Sequence, residues 1–172
     1  MSVEQLESTV VDLNTSKGTI SIRFFPDIAP NHVRNFVELA KEGFYDGTKF
    51  HRVIPGFMIQ GGDPNTKSGN PATWGTGGSG RNIEAEFSKT PHRRGIVSMA
   101  RSTNPNSASS QFFIVVADSN FLDNEYSVFG EVISGMEVAD EIVNAPRNAQ
   151  DRPNDPVEIE SVEVRSVDDS TS

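Results

Sequence analysis

Along this chain, apolar positions alternate in short runs more often than they recur at helical spacing. Residues 9–13 and 19–24 are rich in β-branched and apolar side chains, and the polar stretch 14–18 between them reads as a hairpin turn. Further strands are predicted over 49–54, 57–60, 95–100, 111–116 and 128–132. Two segments follow a helical period instead. From Pro30, which suits a first helical turn, Val33, Phe36, Val37 and Ala40 fall on one face, and Gly43 follows as a stop. Over 136–144, Met136, Ala139, Ile142 and Val143 group together, with Pro146 just beyond. The last strand, 157–167, changes phase between Ile159 and Val162, which predicts a bulge or bend near Ser161. Residues 61–81 and 145–156 are polar and lie between clear elements, so they read as surface loops. Many strands against two helices predict a mainly β fold, a single closed antiparallel barrel or sandwich with helices over its ends.

Length and composition narrow the chemistry. A chain of 172 residues fits one domain, 9–167, with 1–8 as an N-terminal extension and 168–172 as a flexible tail. Such a domain buries roughly 70% of its unfolded surface, enough for a core without a disulfide or structural metal. There is no cysteine, which excludes thiol nucleophiles and thiolate-bound zinc and fits a cytoplasmic setting. No signal peptide and no membrane-length apolar run is visible. A net charge of −9 argues against nucleic acid or an anionic membrane as the main partner. The Asp and Glu residues show no metal-ligand spacing, so no metal or cofactor is expected.

Three segments carry candidate chemistry. In the first, residues 50–64, strand alternation puts Phe50, Arg52 and Ile54 on one face, and His51 and Val53 on the other. Arg52 thus shares a face with apolar residues, either as an edge arginine with a packed stem or as a site residue. After the Pro55–Gly56 turn come Phe57, Met58 and Gln60. The second segment, 95–116, is two strands joined by a polar loop; Phe112 and Phe113 must face opposite sides, leaving one ring for the core and one for a groove. The third is FLDNEYSVFGEV, 121–132. The glycines of 75–80 lack the strand–loop–helix context of a dinucleotide site.

FHRVIPGFMIQGGD, SMAR followed by SSQFFI, and FLDNEYSVFGEV resemble the successive signature stretches of cyclophilins, in order and at similar spacing, within a resemblance covering about 9–167. The resemblance implies an eight-stranded antiparallel β-barrel, closed and capped by two helices, acting as a peptidyl-prolyl cis–trans isomerase. It implies Arg52 as the catalytic arginine, with Gln60 orienting it. Phe57, Met58, Phe113 and Leu122 would line a proline pocket. Gln60, Ala100, Arg101 and Gln111 would hold the flanking backbone, and Phe121 and Tyr126 would close the rim. The implied partners are proline-containing peptides and unfolded or partly folded proteins, bound by a monomer. Arg101, Phe121 and Tyr126 stand where the best-known eukaryotic pattern has asparagine, tryptophan and histidine. Only weak cyclosporin binding is therefore expected. The alternative reading is a scaffold that binds proline segments with incidental turnover.

Overall fold

The structure, a computed structural model, describes residues 2–67 and 70–167; the tail expected at 168–172 lies outside them. Eight strands form one antiparallel sheet: β1 (Thr9–Thr15), β2 (Gly18–Phe24), β3 (Arg52–Ile54), β4 (Met58–Gly61), β5 (Ile96–Met99), β6 (Phe112–Val115), β7 (Val128–Ser134) and β8 (Ile159–Ser166). Their order across the curled sheet is β3-β4-β6-β5-β7-β2-β1-β8. The terminal strands β3 and β8 share no ladder. Just ahead of them, an isolated bridge joins Lys49 to Glu158 and the Phe50 N–H donates to the Val157 carbonyl at 3.0 Å.

The phase change in the last strand is a register shift. Asn14 of β1 faces Ser161 and Thr15 faces Ile159, which leaves Glu160 as the extra residue. Three helices pack on the sheet: α1 (Val3–Glu7), α2 (Pro30–Lys41) and α3 (Met136–Val143). Helix α1 falls in the segment expected as an extension. A capping box between Ser2 and Gln5 starts it, and Leu6 is fully buried. Helix α2 has no side-chain cap of its own. Glu86, far along the chain, supplies one by accepting the backbone N–H of Asn31 at 3.3 Å and of His32 at 2.9 Å.

Strand alternation sorts apolar side chains into two clusters. Val53, Ile59, Val97 and Phe112 join the main core with Phe36, Tyr45 and Phe129, beneath α2. Their neighbours Ile54, Met58, Ile96 and Phe113 join a smaller cluster with Val115, Leu122 and Val128. Phe50 departs from the expected pattern, because it sits in the main core with Val53 instead of beside Arg52. The strand begins only at Arg52, and Phe50 belongs to the preceding segment that pairs towards Val157. The alternation predicted over 49–54 thus holds only for its second half.

Candidate active site

The short hairpin of β3 and β4 creates the central juxtaposition. Its register sets Arg52 opposite Gln60, and Gln60 in turn faces Phe113 on β6. Arg52 is exposed, and its Nη1 donates to Gln60 Oε1 at 3.4 Å. Gln60 Nε2 donates to Gln111 Oε1 at 2.9 Å, and Gln111 Nε2 donates to the carbonyls of Gly75 at 3.0 Å and Gly77 at 2.9 Å. The two carbonyls accept only, so they fix the Gln111 amide. The fixed Gln111 orients Gln60, and Gln60 turns its oxygen towards the guanidinium.

Those carbonyls are themselves held by buried Asp63, whose carboxylate accepts backbone N–H groups from Asn65, Gly75 and Gly77. A Cβ at Gly77 would lie 2.2 Å from an Asp63 oxygen, so only glycine permits the approach. Gly62, with φ +90°, likewise leaves no room: a Cβ there would meet the Ser110 carbonyl at 2.6 Å. The end of the FHRVIPGFMIQGGD motif is therefore the anchor of the relay that ends at Arg52.

Beside the relay lies a cavity of about 110 Å³ in which the apolar side chains of Phe57, Met58, Ala100, Phe113, Leu122 and Tyr126 are joined by Arg52, Gln60 and Arg101. Nine of the residues singled out in the sequence thus converge on one depression. The other two stand next to it. Gln111 lines an adjoining cavity of about 440 Å³, and Phe121, 69% exposed, packs its ring 5.3 Å from that of Phe57. Arg101 borders both cavities. Its guanidinium lies 4.8 Å from the Tyr126 ring, and its Nε donates to the Glu125 carbonyl at 2.8 Å.

The back of the cavity holds a support that sequence reading missed. The buried His92 ring stacks behind Phe113 at 6.1 Å, and Tyr126 meets Phe113 edge-on at 5.6 Å. His92 Nδ1 lies 3.1 Å from Asp123 and Nε2 lies 3.1 Å from Ser98 Oγ. Since the carboxylate accepts, Nδ1 carries the proton and Nε2 accepts from the serine. Burial holds the His92 pKa below the ordinary imidazole value, against the opposing pull of Asp123. Ser98 is fully buried, so this Ser–His–Asp chain braces the wall and offers no exposed nucleophile. His51 is also buried, and burial lowers its pKa despite the nearby Asp63 charge. The serines of the adjoining cavity, Ser102, Ser107, Ser109 and Ser110, were not singled out in the sequence, although Ser109 and Ser110 open the SSQFFI stretch.

Comparison with known proteins agrees with this geometry. The family model for cyclophilin-type peptidyl-prolyl cis-trans isomerase matches residues 10–164. A peptidyl-prolyl cis-trans isomerase of Acinetobacter baylyi is 44% identical, covering 97% of this chain and 91% of its own length. Peptidyl-prolyl cis-trans isomerase A of Dickeya dadantii is 43% identical over 91% of this chain and 85% of its own. A crystal structure of a Cryptosporidium parvum cyclophilin-type isomerase, in the presence of the dipeptide Ala-Pro, superposes with a TM-score of 0.83 at 34% identity, covering 92% of this chain and 99% of that one. Motifs, sheet order and relatives converge: the chain belongs to the cyclophilin-type peptidyl-prolyl cis-trans isomerase family.

Proposed function

We propose that this chain isomerises X-Pro bonds without covalent chemistry, Arg52 stabilising the twisted imide while the Phe113 cavity holds the proline ring. The observation that carries this reading is the Arg52–Gln60–Gln111 relay abutting the Phe113 cavity. Rotation about a peptide bond faces a barrier of about 18–20 kcal/mol because the nitrogen lone pair is delocalised into the carbonyl. Halfway round, that resonance is lost and the pyramidal nitrogen accepts a hydrogen bond available in neither ground state. A guanidinium fixed beside the ring donates to it and so binds the twisted state preferentially. Arginine suits the task because it stays protonated and has donors to spare after bonding Gln60.

Met58, Phe113 and Leu122 supply the apolar wall that restrains the ring while the preceding carbonyl turns. We infer that the seam between β3 and β8 completes a closed barrel, an inference supported by the Lys49–Glu158 bridge, and that this stiffens the strand carrying Arg52. Clients are proline-bearing segments of unfolded or partly folded proteins; the relative solved in the presence of Ala-Pro supports a proline ligand. The cysteine-free composition suits a reducing cytoplasm, which we propose as the compartment.

The test is a proline-isomerisation assay on a short X-Pro peptide. Arg52→Ala is expected to lower kcat/KM by about 2–4 kcal/mol, roughly 30- to 1,000-fold, without loss of stability, since the side chain is exposed. Arg52→Lys is expected to rescue little, because a point charge lacks the fork. Wild-type turnover in folded Arg52→Ala would refute the mechanism and favour a scaffold that only binds proline segments.

A further inference from the structure

A third cavity, of about 570 Å³, meets the Phe113 cavity at Arg52 and Gln60, which line both. Its other walls include Trp74, Gln150 and Arg152, and among the described residues no carboxylate lines it. Two polar loops from distant parts of the chain build it. In one, Asn70 Oδ1 accepts the Ala72 N–H at 3.0 Å, forming a short turn that delivers Trp74. In the other, Asn148 Oδ1 accepts the N–H groups of Gln150 at 2.9 Å and Arg152 at 3.2 Å. The Val53 N–H, beside Arg52, donates to the Asp151 carbonyl at 2.7 Å and ties this second loop to β3.

The two loops meet where the Arg152 guanidinium lies over the Trp74 ring, 4.8 Å from its centroid. Both Arg152 Nε and Trp74 Nε1 are buried and have no acceptor among the described residues. Buried N–H groups without acceptors are costly, so the pair is poised for an acceptor from elsewhere. The nearby acids are engaged. Asp63 is taken up by three backbone N–H groups, and Asp151 accepts from Arg147 Nε at 3.3 Å. Two arginines and a tryptophan thus line one cavity in a protein of net charge −9.

We propose that this cavity is a subsite for an acidic side chain of the substrate, an aspartate or glutamate carboxylate near the proline. The proposal rests on reading the adjoining Phe113 cavity as the proline pocket. A carboxylate brings two acceptor oxygens to donors that lack one, and makes the charge-assisted, planar pairing that a stacked guanidinium is arranged to give. The subsite therefore sets sequence preference around the proline, leaving the isomerising step to Arg52.

The test compares kcat/KM for paired peptides carrying Glu or Gln at the first or second residue before or after the proline. At one of these positions the wild type is expected to favour Glu by about five- to tenfold, mainly through KM. Arg152→Gln brings the Glu/Gln ratio to about one. Trp74→Phe, which keeps the ring and loses the N–H, lowers it about two- to threefold. Arg34→Gln, removing a positive charge elsewhere, leaves it unchanged. Each ratio is taken within one variant, so partial unfolding cancels. Turnover of the Gln peptides with no preference for Glu anywhere, a preference surviving Arg152→Gln, or an equal loss in Arg34→Gln overturns the subsite alone. Failure to turn over any peptide overturns the isomerase reading and the subsite with it.

Discussion

Phe112 and Phe113 are neighbours on β6, and the sheet separates what surrounds them. Phe112 enters the main core, where Phe36, Tyr45 and Phe50 meet it edge-on at 5.3, 5.6 and 6.2 Å. Phe113 enters the smaller cluster, with His92 behind it, Tyr126 at its edge and an open cavity in front. On the core face, apolar surface is consumed by mutual packing. On the groove face the same residue types are braced from behind by the polar His92–Asp123–Ser98 chain and stay available in front. Equal hydrophobicity in sequence thus serves cohesion on one side and recognition on the other.

The sharpest way to break this comparison is to truncate each ring in turn. Phe112→Ala is expected to cost about 3–5 kcal/mol of stability by urea unfolding, because rings on three sides are left around a cavity. Phe113→Ala is expected to cost clearly less stability, because this ring, though only 4% exposed, borders a cavity where Phe112 is ringed by aromatics, while lowering kcat/KM at least about tenfold. Equal destabilisation by the two variants would mean that the groove cluster is as much a part of the core as the face opposite.

The next largest effect concerns the exposed rim. Phe121 continues the apolar wall through Phe57 but offers no N–H at the position where the eukaryotic cyclophilin pattern has tryptophan. Phe121→Trp is expected to tighten cyclosporin inhibition by about 1–3 kcal/mol, roughly 5- to 150-fold, with small-peptide turnover little changed. Titrating the drug against both proteins while following isomerisation reads this directly. Equally tight inhibition of both would show that the ring at 121 does not govern drug affinity.

A somewhat smaller loss is expected on cutting the relay behind Arg52. Gln111→Leu removes the donor to the Gly75 and Gly77 carbonyls and frees Gln60 to turn away from the guanidinium. The expected outcome is a fall in kcat/KM of about 1–2 kcal/mol, with KM less affected than kcat. A change confined to KM would assign Gln111 to substrate binding instead of to the positioning of Arg52.

How much of this was legible in the sequence depends on whether the cause was local. The opposite facing of Phe112 and Phe113 follows from strand alternation alone, and the bulge predicted near Ser161 falls at its neighbour Glu160. The two predicted helices lie where their apolar period puts them. Phe50 was misplaced because alternation was extended past the start of β3, where pairing towards Val157 sets its direction. Helix α1 was missed because five residues carry too little period to detect. The Glu86 cap on α2, the His92–Asp123 contact of the brace and the Trp74–Arg152 stack join residues far apart in the chain. No spacing rule reaches them. The site residues named from motifs came together because the first two motifs lie on adjoining strands, β3 to β6, and the third leads into β7, which pairs with β5.

The smallest expected effect is on turnover as pH changes, and it separates the two faces differently. His32, His51 and His92 all have pKa values below the ordinary 6.5, because burial disfavours the imidazolium; Glu86, Asp63 and Asp123 oppose that shift without reversing it. The unfolded chain therefore takes up protons first. Stability is complete above about pH 6.5 and is lost as pH falls from there towards the lower folded values. For Asp12, burial alone would raise the pKa, but hydrogen bonds from Arg165 and Ser21 outweigh it; the His92 backbone N–H lowers Asp123, and Arg94 lowers Asp140. These carboxylates contribute above the ordinary 3.8, and their share is lost only as pH falls below it. Denaturant unfolding across pH is thus expected to show a first decline beginning near 6.5 and a second below 4. Turnover should not follow the first decline while the protein stays folded, because an arginine donor and an amide do not titrate in this range. We expect kcat/KM to stay within about twofold from pH 6 to 8.5. A bell-shaped profile there, with folding intact, would put His51 or Tyr126 into the reaction and end the non-covalent account of Arg52.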